Sequence, residues 1–197
     1  MDISQLLGSD LGQQVISGIT KNSQATEQET SSVISAATPV LLGMLKKNSQ
    51  TEAGASSLLG ALSKHDGSAL NNISGLLNSG STADGEGILG HILGGQKNQV
   101  QSAISKKTGV DASKVGNILA MLAPIIMAKL GSQANSNNVS TGGGIGDILG
   151  GLLGGADSSS VGGSILSSVL GGALGGGSSS QKEGGLGGVL GGLFGNK

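Results

Sequence analysis

Apolar residues return along this chain at helical spacing. Leu11, Val15 and Ile19 recur every four residues, as one buried face of a helix requires. A polar turn, "KNSQAT", follows, and then a helix start signal. Thr26 with Glu29 three residues on predicts a capping box that satisfies free backbone N–H groups from both directions. The pattern then predicts a long helix over 27–47, with Ile34, Ala37, Leu41, Met44 and Leu45 on one stripe. A second long helix is predicted over 112–131, with Ile118, Leu122, Ile125, Ile126 and Leu130 as its stripe and Asp111 as its cap. "EAGASSLLGALSK" (52–64), "SALNNISGLL" (68–77) and "GILGHILGG" (87–95) read as shorter helices. "NSGSTADGEG" (78–87) reads as a loop.

Both long helices carry a proline, and the reason lies in a repeat. Residues 13–47 lie over residues 98–132 at a constant offset of 85, pairing Val15 with Val100, Ile19 with Ile104, Lys21 with Lys106 and Pro39 with Pro124. This reads as an internal duplication of a helix–turn–kinked-helix unit, the proline bending each long helix around its core. The capping box is only half kept, because Lys114 stands in the second copy where Glu29 stands in the first.

After residue 132 the pattern loosens. "SQANSNNVSTGGG" reads as a flexible linker, and from Gly142 onward 22 of 56 residues are glycine. Each glycine costs a helix interior about 1 kcal/mol relative to alanine, so residues 136–197 are expected to form a disordered, low-complexity tail. Within it Gly142, Gly146, Gly150 and Gly154 recur every four residues, as do Gly184, Gly188 and Gly192. On a helix this spacing makes a smooth groove of the kind that lets membrane helices pair. The expected organisation is a first helical half (1–85), a second (86–135) packed on it as one compact all-α bundle, and the Gly-rich tail (136–197).

Composition narrows the chemistry. Cysteine, tryptophan and tyrosine are absent, all 11 basic residues are lysine, and Phe194 is the one aromatic residue. The core must therefore be aliphatic, which favours helix packing. A formal net charge of −1 gives no field that would steer the chain to nucleic acid or an anionic surface. Without arginine or aromatic rings, the locally basic stretch with Lys97, Lys106, Lys107, Lys114 and Lys129 lacks both a bidentate base reader and a stacking platform. Nucleic-acid binding is not expected.

No candidate for catalysis, cofactor or metal emerges. "GEGILG" (85–90) has the spacing of a dinucleotide fingerprint, but no strand precedes it and it leads directly into a helix. His65 and His91, the two histidines, stand 26 residues apart without the further ligands that zinc requires. No serine sits in a nucleophile elbow. The N-terminus lacks a secretory pattern, so a cytoplasmic location is expected.

The features "ILGHILGG", "TGVD" and "LAPIIMAKL", within residues 87–131, resemble the bacterial domain-of-unknown-function 937 family, the YidB-like helical proteins. The resemblance covers roughly residues 1–135 and implies an all-helical bacterial protein without assigned activity or catalytic residues. The reading is a non-enzymatic helical scaffold or interaction module, with a protein partner or self-association. The alternative is a membrane-active or self-assembling protein acting through its glycine-zipper-like tail.

Overall fold

The computed structural model describes residues 9–65, 67–78, 82–139, 141–153 and 161–173, and within them it is helical throughout, with no strand. The helices are α1 (Asp10–Ser23), α2 (Glu27–Asn48), α3 (Glu52–Lys64), α4 (Ile73–Asn78, after a 3-10 turn at Ser68–Asn72) and α5 (Thr82–Leu93). They continue with α6 (Lys97–Thr108), α7 (Ala112–Ser136), α8 (Gly142–Leu153) and α9 (Val161–Ala173).

The two long helices, α2 and α7, pack on each other at the centre and carry most of the core. Every residue from Ala36 to Leu45 and from Ile118 to Ala128 is buried, so each helix is wrapped on all sides. Ile34, Leu41, Ile118, Leu122 and Ile126 are among them. Both helices run unbroken through Pro39 and Pro124. Among the described residues α7 alone has the length and apolarity to cross a membrane, yet 78% of its most apolar window is covered by the rest of the fold. It is used here as a core helix.

The starts of both long helices follow the sequence. Thr26 Oγ1 accepts from Glu29 N at 3.2 Å and the Glu29 carboxylate accepts from Thr26 N at 2.7 Å, completing the capping box. Asp111 Oδ1 accepts from Ser113 N at 2.8 Å. Lys114 cannot make the second half of such a box. Its Nζ instead donates to both oxygens of Glu29 at 3.1 Å, joining the first turns of α2 and α7. These two residues occupy the same place in the 85-residue offset.

The packing keeps to that correspondence. α1 ends and α2 begins where α6 and α7 do, and α1 packs on α7 as α6 packs on α2. α3 lies on α7, α8 lies on α2, and α3 and α8 touch each other. The 3-10 turn and α4 lie on α7 and α1, while α9 lies on α2 and α6. Leu58 and Leu62 of α3 and Ile145 and Leu149 of α8 are buried at the same four-residue spacing, as are Ile73 and Leu77 of α4 and Ile165 and Val169 of α9.

The expected disordered tail is therefore corrected over part of its length. α7 extends to Ser136, and residues 142–153 and 161–173 are helices packed on the core. Glycine lowers helix propensity, but four aliphatic side chains buried to 2% exposure or less supply tertiary contacts that outweigh it. Glycine also lets α9 come close. A Cβ on Gly162 would collide with the Pro39 ring, and one on Gly43 with the Leu166 side chain. The segment 78–87, expected as a loop, is helical from Thr82, because Gly85 lies against the Ala120 backbone and seats α5 on α7. Residues 154–160 and 174–197, with the glycine repeats of 184–195, lie outside the described residues.

Two measurements check this account. Leu149→Ala should cost about 2–5 kcal/mol in chemical denaturation, as a core truncation does; a near-wild-type midpoint would detach α8 from the core. The second is acid stability. The Glu29 carboxyl is held below its ordinary 4.5 by the Thr26 backbone N–H and then by Lys114. That of Asp111 is held below 3.8 by the Ser113 hydroxyl and then its N–H. With the folded pKa below the unfolded one, the stabilisation is complete above those values and is lost as pH falls through the folded pKa. Melting temperature should therefore drop on acidification below pH about 4.5, and Glu29→Gln should flatten that limb of the profile.

Candidate functional site

α3 and α5 both rest on α7, and between them they leave an open cleft of about 950 Å³. Its apolar lining comes from four helices: Leu45 of α2, Leu58 of α3, Ile88 and Ile92 of α5, and Met127 of α7. All but Ile88 are buried core residues. Ile88 is the half-buried member of this lining, and the others reach the cleft from within the core.

The rim is polar and includes two lysines. Lys47, Asn48 and Thr51 stand where α2 gives way to α3, and Lys64 and His65 stand at the far end of α3. Thirteen residues of helical rise separate Thr51 from Lys64, about 20 Å. Asn48 Nδ2 donates to the Ile92 carbonyl at 3.0 Å and to that of His91 at 3.4 Å, satisfying two end carbonyls of α5. That bond fixes His91 at the Lys47 end. Asp84, about 10 Å back along α5, is the one carboxylate among the described residues of the lining.

Glycines open the walls. A Cβ on Gly60 or Gly87, both in the lining, would have no atom within 4 Å, in contrast with the packed Gly85 two residues away on the opposite side of α5. Helix propensity alone would favour alanine at both open positions.

The residues singled out in the sequence are distributed as follows. His65 and His91, far apart in the chain, both reach the cleft, at its two ends. Among the described residues no three potential metal-ligating side chains cluster. "GEGILG" lies inside α5 and turns no phosphate-binding corner. Lys97 pairs with Glu86 and Lys114 with Glu29, while Lys106 and Lys107 are exposed at the end of α6. No local signal marks Lys47, Asn48, Lys64 and Asp84 as neighbours of one cleft. They come from three elements, and only the packing on α7 unites them.

The architecture is that of an all-helical bundle with a cleft that has an apolar floor and two lysines on its rim. The chain belongs to the family of bacterial proteins of unknown function DUF937, whose model matches residues 5–133. The match ends within the last turn of α7, so α8 and α9 lie beyond it. No curated protein and no solved structure matches the chain.

Asn48→Ala should cost about 1 kcal/mol through the lost bond to α5, and hydrogen exchange should quicken at the end of α5 before it does so in α2. Equal protection of α5 in wild type and variant would remove Asn48 from this role.

Proposed function

We propose that this protein is a non-enzymatic helical interaction module, built from two copies of one unit and acting in the cytoplasm. The observation that carries the reading is the cleft: a recess of about 950 Å³ floored by core side chains of four helices, with polar groups gathered on the rim. Apolar surface of this kind, rimmed by polar residues, is what binding sites for other macromolecules expose. The duplication reading draws support from the matched starts of α2 and α7, the matched prolines and the reciprocal packing of α3 and α8. On that reading the unit extends past residue 135 to include α8 and α9, as counterparts of α3 and α4.

The alternative, a self-assembling or membrane-active protein, draws on α8, where a Cβ on Gly143, Gly146 or Gly151 would meet open space. Against it, Ile145 and Leu149 of the same helix are buried in the core and unavailable to lipid.

A photo-crosslinking side chain at the exposed rim position Ser57, carried by the full chain in bacterial cells, separates the two. A discrete adduct with another protein supports the module. Adducts only with the chain itself, or sedimentation of the purified protein with lipid vesicles, would replace it by the alternative.

A further inference from the structure

We infer that the cleft between α3 and α5 is the docking site for an amphipathic helix of a partner protein, about three turns long, with acidic residues near both of its ends. This deepens the interaction reading and rests on it. Three observations select the occupant.

The first is shape. The cleft follows α3, whose rise from Thr51 to Lys64 is about 20 Å, the length of a helix of about 13 residues. Its floor is aliphatic: Leu45, Leu58, Ile92 and Met127 reach it at 2–7% exposure, and Ile88 is half-buried there. An amphipathic helix fills such a groove with residues spaced i, i+4, i+7 and i+11. Gly60 and Gly87 leave its walls free of side chains, so an incoming helix can come close.

The second is charge. The lysines Lys47 and Lys64 stand at the two ends, with His91 beside the first and His65 beside the second, and Asp84 is the carboxylate among the described lining residues. A single-headed anionic amphiphile would use one cationic end and leave the other without a partner. Cations at both ends match a ligand whose anionic groups are about 20 Å apart with an apolar stretch between.

The third is an internal comparison. Core positions recur in the two halves, with Ile19 answering to Ile104, Val33 to Ile118 and Leu62 to Leu149. The rim residues Lys47, Lys64 and His65 do not recur. Ser132 stands where Lys47 has its counterpart, and Gly151 and Leu152 stand where Lys64 and His65 have theirs. The same helix arrangement forms without them, so the fold does not require these charges.

The test uses the full chain and a fluorescein-labelled synthetic helix of about 14 residues, leucine at i, i+4, i+7 and i+11, with glutamates in its first and last turns. A second peptide replaces each glutamate by lysine, and sodium oleate serves as a third probe. Anisotropy should show the glutamate peptide bound at least about tenfold more tightly than the lysine peptide. Gly87→Leu, which has room for its side chain and should keep the wild-type circular dichroism, should weaken that binding by about tenfold or more. Lys47→Glu with Lys64→Glu should reverse the preference between the two peptides. Equal binding of both peptides, or unchanged binding in Gly87→Leu, overturns the proposal. So does binding of oleate without the glutamate peptide, which would make the cleft a small-amphiphile site. A cellular adduct formed from Ser57 equally well in wild type and Gly87→Leu would leave the interaction module standing and take the cleft out of it.

Discussion

The mutual packing of α2 and α7 is the contact on which the remaining helices depend. With a single phenylalanine and no tryptophan or tyrosine, the chain cannot fill a wide interior with rings, so its helices must approach closely enough for Ala, Val, Ile, Leu and Met to meet. Two central helices buried on all sides satisfy that requirement, because each peripheral helix then needs only one short apolar edge. α8 and α9 do this with a few aliphatic residues each. Their glycines, a liability in an isolated helix, become usable once a neighbour supplies the contacts.

Glycine has two distinct roles as a result. At Gly85 and Gly162 the backbone of another element, or a proline ring, occupies the space where a side chain would go, so glycine sets the distance between helices. At Gly60, Gly87 and Gly90 nothing stands within reach, and glycine leaves the surface smooth. The first role builds the bundle. The second widens the cleft, since Gly60 and Gly87 line it.

Where the halves meet, Glu29 both closes the capping box of its own helix and receives Lys114 from the corresponding turn of the other. Both side chains are about one-third exposed, so the pair is a means of alignment more than a source of stability. The two residues stand 85 positions apart, the offset of the sequence repeat, and α3 and α8 touch as well. The cleft does not keep to that repeat: Ser132 stands at the same offset from Lys47.

The sequence by itself determined the helices that carry strong local signals. Thr26, Glu29 and Asp111 placed the starts of α2 and α7, and four-residue apolar spacing identified the faces of α1, α2 and α7. Caps and periodicity act through residues three and four apart, and such terms can be read without knowing the fold. Tertiary structure alone decided the fate of 82–87, 142–153 and 161–173, where composition argued for loop or tail. Their few apolar side chains count for little until α2 and α7 are assembled to receive them. It also decided the cleft, by bringing Lys47, Lys64, His65 and His91 to one rim from elements distant in the chain. Helix propensity is set by near neighbours, whereas burial and the proximity of charges are set by what the rest of the chain puts alongside.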